Sequence, residues 1–320
     1  MPPPQISVII PVYNRGPLIE KTVVSALNQD VAPETVEILL VDDGSSRETA
    51  QILDELAAKH PQIRVFHLPN GGVARARNFG LEQARGEFTA FLDHDDLWLP
   101  EKLRLQLEIM RQNPDVGVVY CDWLAVDEAG APMPLILQHS QQSWWHPRRG
   151  NAYPWILMPH PRQFLRNPIL SMSFPLIKTA LLRRIGGFDA RTVPSDDWDL
   201  WIRLARITQF DWVPQVLVHY VHHDAQQHND QRRALRSWLA ICRKHRVSAR
   251  HYPYLWLKMR WFERLSRALL LHAEAEIALE NGDRADVVKL ALRAGFWRPD
   301  TLIYHRWRRL LRRALALNRR

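Results

Sequence analysis

Along the first 125 residues, short apolar runs alternate with segments of helical spacing. Ile6–Pro11, Val36–Val41, Ile63–His67, Phe88–Leu92 and Val116–Trp123 read as strands. Their apolar residues run consecutively instead of alternating with polar ones, the pattern of strands covered on both faces. Between them, Leu18–Asn28, Glu48–Lys59, Val73–Ala84 and Glu101–Gln112 set apolar residues three and four apart and predict helices. Ser45 or Ser46 is the expected N-cap of the second helix. Regular alternation of strand and helix predicts an α/β domain with a largely parallel sheet and helices on both faces. Ligands of such sheets bind beyond the carboxyl ends of the strands.

The pattern then loosens. Residues 124–170 are rich in Pro, Trp and His, with Ser143-Trp144-Trp145-His146-Pro147-Arg148-Arg149 as the densest stretch. Trp144, Trp145 and Trp155 fit a stacking wall for a sugar and equally a local apolar cluster. A strand is expected at Ser171–Lys178, a helix at Thr179–Ile185, a turn at Gly186-Gly187 and a helix at Asp197–Arg206. From about residue 229 the spacing is helical. The expected division is a domain over residues 1–224, in halves 1–125 and 126–224, followed by a helical region over 225–320.

The strand ends carry the chemistry. Pro11-Val12-Tyr13-Asn14 follows the first strand, Asp42-Asp43-Gly44-Ser45-Ser46 the second and Asn70-Gly71-Gly72 the third. Asp93-His94-Asp95-Asp96 follows the fourth. Three carboxylates in four positions repel one another, and a divalent cation relieves that repulsion. In a strand ending Asp-x-Asp both outer side chains share a face, and hard oxygen ligands suit Mg²⁺ or Mn²⁺ on a diphosphate. Together the four ends offer an aromatic ring for a base, a carboxylate for a ring N–H, an arginine for phosphate and a site for a metal.

In fixed order the chain reads VIIPVYN, EILLVDDGSS, NGGVARARNFG, FLDHDD, GGFD and DDWDLW, and over residues 5–224 it resembles glycosyltransferase family 2, inverting enzymes of the Rossmann-like GT-A fold. The resemblance implies that Pro11 and Tyr13 border the base of a sugar nucleotide, that Asp43 accepts from a uracil or thymine N–H, and that Asp42 supports the turn. It implies that Arg77 approaches the diphosphate or braces the acidic cluster, that Asp93 reaches the ribose or the metal, and that Asp95 is the main ligand of Mn²⁺ or Mg²⁺. Asp96 is expected to cap or orient the next helix. His94 stands where the family often has a small residue. Asp197 matches the general base, and His223 matches a residue that touches the metal or the diphosphate. The implied donor is a UDP- or dTDP-sugar, and the implied acceptor is a saccharide or lipid-linked saccharide of envelope polysaccharide. A nucleotidyltransferase and a non-catalytic sugar-nucleotide scaffold are the alternatives. The first lacks its Gly-rich phosphate loop here, and the second is disfavoured by Asp95 and Asp197. No Gln-x-x-Arg-Trp motif of processive relatives occurs.

Charge divides the chain. Residues 1–160 hold 13 Lys+Arg against 20 Asp+Glu, and residues 161–320 hold 30 against 14, so the basic half is expected to meet something anionic. The last twenty residues contain seven Arg and no acid. Trp307, Leu310, Leu311, Ala314 and Leu315 fall on one side of a helix there, opposite Arg306, Arg308, Arg309, Arg312 and Arg313. That pattern suits an anionic membrane surface, with a tail packed on the protein as the rival. No nucleic-acid motif accompanies the charge. Cys121 and Cys242 have no metal or redox spacing, the start shows no signal-peptide pattern, and no long apolar stretch occurs. A cytoplasmic protein, peripheral at the inner face of the membrane, is the expectation.

Overall fold

The computed structural model describes residues 4–133, 171–222, 231–246, 253–295 and 310. Strand β1 (Ile6–Val12) is buried along its whole length, as is β2 (Val36–Asp42), which accounts for their unbroken apolar runs. They pair in parallel from Ile6↔Val36 to Val12↔Asp42. β3 (Ile63–His67) continues the parallel sheet beyond β2, and β4 (Phe88–Phe91) lies parallel to β1 on its other side. Helices α1 (Leu18–Leu27), α2 (Arg47–Lys59) and α3 (Val73–Gln83) make the crossovers. Ser46 is the N-cap of α2, accepting from the Thr49 amide.

Strand order reverses at β1, which has β2 on one side and β4 on the other. Open α/β sheets bind ligands at such a reversal. Registers Val12↔Asp42 and Ile9↔Phe91 bring the loops after β1, β2 and β4 to one edge.

Beyond β4 the sheet is mixed. Its full order is β3-β2-β1-β4-β7-β6-β8-β5, with β5 at Leu97–Trp98, β6 at Val116–Val126, β7 at Leu176–Lys178 and β8 at Gln209–Val221. β7 runs antiparallel to both β4 and β6, β8 runs parallel to β6, and β5 runs antiparallel to β8. The parallel expectation thus holds for the first half and for β6 with β8. The strand expected over 171–178 is confined to β7. The thirteen-residue β8 escaped the apolar pattern because Asp211, Pro214, Gln215 and His219 interrupt it. Its ladder with β6 is irregular near Cys121 and Asp122, and the Pro214 nitrogen has no proton to donate.

Helix α4 (Lys102–Gln112) covers β6, followed in sequence by α5 (Thr179–Arg184) and α6 (Asp196–Leu204). The later part is helical, with α7 (Gln231–Arg246), α8 (Pro253–Glu280) and α9 (Arg284–Gly295). Two compact units result: Met1–Ala190 with Asp196–Gln226, and Arg191–Ser195 with Gln227–Arg320. In the second, buried Glu263 of α8 receives Arg246 at 2.9 Å and Arg267 at 2.6 Å.

Candidate active site

The loops after β1, β2 and β3 are tied into one rim. Pro11 is buried within β1, and Tyr13, just beyond it, is 47% exposed. Asn14 takes a positive φ of 48°; its amide donates to Ser45 Oγ at 3.0 Å, and its Oδ1 accepts from the Ser46 amide at 2.7 Å. Asp42 Oδ1 accepts from the Ser45 amide at 2.9 Å, so Asp42 holds the turn. Its Oδ2 lies 2.8 Å from His67 Nδ1, and His67 Nε2 lies 3.1 Å from Asp54 Oδ1. The hydrogen bond to Asp42 and the charge of Asp54 raise the His67 pKa above its ordinary value against partial burial.

Asp43 faces the next loop. Its two carboxylate oxygens accept from the amides of Gly71 at 2.8 Å and Gly72 at 2.7 Å, while its carbonyl accepts from Asn70 Nδ2 at 2.9 Å. Gly44 has φ +77° and lies so close to the Asn70 backbone that an added Cβ would come within 2.7 Å of the Asn70 nitrogen. Glycine is therefore required both by the dihedral and by the approach.

The acidic turn after β4 divides its carboxylates among three environments. Asp93 Oδ1 accepts from Arg77 Nη2 at 2.6 Å, and its Oδ2 lies 3.2 Å from Ser171 Oγ. Asp96 is fully buried, accepting from Ser173 Oγ at 2.5 Å, from Ser171 Oγ at 3.1 Å and from the Val221 amide at 3.3 Å. Burial first, then Asp95 and Asp93, hold its pKa well above the usual carboxylate range. The expected capping role is not observed: the residue flanking α4 is Glu101, and Asp96 instead points into the interior, tying the turn to residues 171–173 and to the end of β8. Asp95 is half-buried. His94 carries the rim connection, its Nδ1 accepting from the Tyr13 amide at 3.4 Å, and burial lowers its pKa.

Among the described residues no group of three or more His, Cys, Asp or Glu side chains is arranged to hold a metal ion. The turn itself offers Asp95 as a hard-oxygen donor. One such carboxylate fits Mg²⁺ or Mn²⁺ when substrate phosphates and water complete the shell. His223 lies outside the described residues, as do Trp144, Trp145 and Trp155.

Helix α6 brings the second acidic pair. Asp196 is buried and accepts from Arg77 Nη1 at 3.0 Å. Asp197, half-buried, accepts at Oδ1 from the Trp198 amide at 2.7 Å. Burial and then the neighbouring Asp196 push the Asp197 pKa up to about 8. Burial also raises Asp196, partly offset by Arg77. Burial works against the charge of Arg77 itself, but Asp93 and Asp196 overcome it and hold the guanidinium firmly protonated. The adjacent Asn78 forms a two-way pair with the Phe188 backbone, at 2.9 Å to its carbonyl and 2.8 Å from its amide. Arg77 also lies over the Phe188 ring at 5.4 Å.

The structure thus brings together Pro11, Tyr13, Asp42 and Asp43 on the rim, and Arg77, Asp93 and Asp196 in one ion-pair network, with Asp95 and Asp197 on the turns that carry it. Ser171 and Ser173 are site residues that sequence reasoning missed. Both fall within the strand expected over 171–178, where strand spacing says nothing of the partner a serine will meet. The Arg77–Asp196 bridge spans 119 positions and had no local signature either.

Comparison with known proteins agrees with this architecture. Residues 7–176 match the model of glycosyl transferase family 2. An uncharacterized glycosyltransferase of Rickettsia typhi is 30% identical over 240 residues, 74% of this chain and 70% of that protein. A chondroitin synthase of Escherichia coli is 27% identical over 220 residues, 69% of this chain but only 29% of the synthase. Among solved structures, S. aureus TarS 1–349 in complex with UDP-GlcNAc aligns with a TM-score of 0.59 at 18% identity, covering 89% of each chain. The mannosyltransferase PcManGT of Pyrobaculum calidifontis, in complex with GDP-Man and Mn²⁺, aligns at 0.57 and 22%, covering 99% of this chain and 87% of that one. At these identities the structures speak for the fold, and the family match speaks for the chemistry. A sheet reversed at β1, rimmed by loops that carry the motifs in order, is what the family match describes from the sequence side, and this chain belongs to glycosyltransferase family 2 as a glycosyltransferase of GT-A fold.

Proposed function

We propose that this glycosyltransferase moves a sugar from a UDP- or dTDP-sugar to a hydroxyl of a saccharide or lipid-linked acceptor in envelope polysaccharide synthesis, inverting the anomeric carbon. The observation that carries the reading is the Arg77 bridge, which joins the donor-side turn at Asp93 to the acidic pair of α6 at Asp196. Carboxylates from distant parts of the chain thereby face one small region. The relatives bound to UDP-GlcNAc and to GDP-Man support a nucleotide-sugar donor, and the likeness to a chondroitin synthase supports a saccharide acceptor.

Tyr13 presents an exposed ring for the base. Asp43, oriented by Gly71 and Gly72, keeps oxygen lone pairs for a pyrimidine N–H. Asp95 would hold Mn²⁺ or Mg²⁺, which when bound neutralises charge on the leaving diphosphate. Asp197 takes the acceptor hydroxyl proton as that oxygen bonds to the anomeric carbon. The bond to the diphosphate breaks, and its electron pair leaves with the diphosphate.

The test is Asp197→Asn, which keeps the oxygen that accepts from Trp198 and removes the basic one. Nucleotide affinity should persist while transfer falls by about two to four orders of magnitude. In the unmodified protein kcat/KM should rise with pH as Asp197 loses its proton, to a plateau above about pH 8. In the same assay Asp95→Ala should remove the Mn²⁺ dependence of nucleotide binding. Near-normal transfer by Asp197→Asn, with loss in Asp196→Asn, would move the base one residue back.

A further inference from the structure

Arg77 does more than neutralise charge. It is buried, and its two terminal nitrogens are both committed, Nη2 to Asp93 at 2.6 Å and Nη1 to Asp196 at 3.0 Å. We propose that Arg77 is a positioning residue for transfer, a strut whose planar fork sets the spacing between the donor-side turn after β4 and the base-bearing turn of α6. This inference deepens the reading of Asp197 as base and depends on it.

The geometry supports a strut over a diphosphate clamp. Arg77 is buried with each terminal nitrogen held by a protein carboxylate, and its Nε is buried without a hydrogen-bond partner, so a bidentate grip on phosphate would have to break or share the two ion pairs that fix the fork. Of the two roles the family resemblance implies for Arg77, bracing the acidic cluster is the one this arrangement fits. The fork is rigid and delocalised, so it transmits distance, whereas a flexible lysine would transmit charge alone. The helix that carries it is itself held at short range. A Cβ on Gly80 of α3 would meet Ile9 Cγ2 of β1 at 2.5 Å, and Asn78 grips the Phe188 backbone one residue along from Arg77. The neighbours of Asp197 also include the strut. The charged groups that weigh most on it are Asp196 on its own helix, Arg77 on α3 and Asp93 after β4, and the Tyr220 hydroxyl of β8 titrates within its electrostatic reach. Asp196 and Asp93 raise its pKa, and Arg77 lowers it. Displacement at the anomeric carbon needs the base opposite the leaving group, and an error of about 1 Å in such placement costs on the order of 100-fold in rate.

The experiment uses the full chain with Arg77→Lys, Arg77→Met, Asp196→Asn and Asp197→Asn. Melting, nucleoside-diphosphate affinity, kcat and the pH profile of transfer are measured for each. Arg77→Lys keeps the charge and loses the fork; kcat should fall on the order of 100-fold while nucleoside-diphosphate affinity and folding persist. The rising limb of the pH profile, set by deprotonation of Asp197, should move in opposite directions in the other two. It should move down in Asp196→Asn, which removes an anion beside Asp197, and up in Arg77→Met, which removes a cation. A residue that only supports the fold would not move the limb with the sign of the charge removed. If Arg77→Met fails to fold, Arg77→Lys and Asp196→Asn still decide the matter. Should Asp197→Asn abolish transfer while Arg77→Lys and Asp196→Asn keep normal kcat and an unmoved limb, the strut is overturned and the base reading stands. Near-normal transfer by Asp197→Asn would overturn both.

Discussion

Asp43 shows how one side chain can shape a site before any ligand arrives. Both its oxygens accept from backbone amides, so the Gly71-Gly72 turn is ordered by a carboxylate in the first half of the sheet. Asp43→Asn would set an amide N–H₂ against a backbone N–H at one of the two contacts. Hydrogen bonds to charged groups are worth about 1.5–3 kcal/mol each, so the variant should lose nucleotide affinity by roughly tenfold or more. Calorimetry with uridine diphosphate checks this, and unchanged affinity would remove Asp43 from the base site. Lys102 makes the opposite case, a charge within the core. It is fully buried on α4, with Nζ 3.0 Å from Gln106 Oε1 and 4.0 Å from the Trp98 ring centre, and burial lowers its pKa to about 8. A lysine whose folded pKa lies below its unfolded value costs stability at neutral pH. The cost is full below about 8 and fades as pH rises toward the unfolded value, because there the unfolded chain binds the extra proton. The stability of the unmodified protein should therefore gain on that of Lys102→Met between about pH 8 and 10, as read by denaturant melts. Parallel pH curves for the two would show that the lysine does not titrate in that range.

At the scale of elements, α3 is the piece that joins the halves of the first unit. It leaves the Gly71-Gly72 turn, lies on β1 and β2, and presents Arg77 and Asn78 to residues more than a hundred positions away. Its contact with the sheet is set by Gly80, whose missing side chain lets Ile9 and Val41 approach. In an exposed helix Gly→Ala stabilises by about 1 kcal/mol through propensity. Here the new methyl would meet Ile9 at 2.5 Å, and overpacking of that kind costs about 1–3 kcal/mol. Gly80→Ala should lower the melting temperature and reduce transfer more than nucleotide binding, since the displaced helix carries Arg77. A stabilised variant would mean that α3 can shift without cost. Sequence patterning located α3 to within a residue, because three- and four-residue spacing survives in isolation. It missed β8, whose buried residues are apolar or aromatic but are broken up by exposed or half-buried Gln209, Asp211, Pro214, Gln215 and His219, so that its pairing with β6 is what marks it as a strand.

For the whole molecule the question is where the positive charge goes. No helix among the described residues is long and apolar enough to cross a membrane. Among the described side chains of α7 the exposed ones are Arg232, Arg233, Arg236, Arg243 and Lys244, every one of them basic. In the terminal stretch Leu310 is described and is buried, so at that position the apolar stripe is covered by protein, which favours the packed-tail rival. Basic residues near an anionic surface contribute about 1 kcal/mol each and are screened by salt. The chain should co-sediment with anionic vesicles at low salt, weakly at high salt, and not with neutral vesicles. If the tail carries that binding, deleting residues 304–320 abolishes it and leaves nucleotide binding intact. Retained binding would assign it to other cations such as those of α7, and a drop in melting temperature would mark the tail as part of the fold.

The parallel half of the sheet and its rim were legible in the residues themselves. Consecutive apolar runs specify buried strands wherever they occur, and strand-end motifs fall where α/β sheets bind ligands; Ser46, Asp42 and Asp43 act within their own loops or on the next one. The antiparallel β7, the interrupted β8, the inward turn of Asp96 and the seat of Arg77 were decided by tertiary structure alone. A buried carboxylate takes the donors that packing brings to it, here Ser171, Ser173 and Val221 for Asp96 and a distant arginine for Asp196. No local pattern encodes a partner a hundred residues away, because that contact exists only once the chain has closed around it.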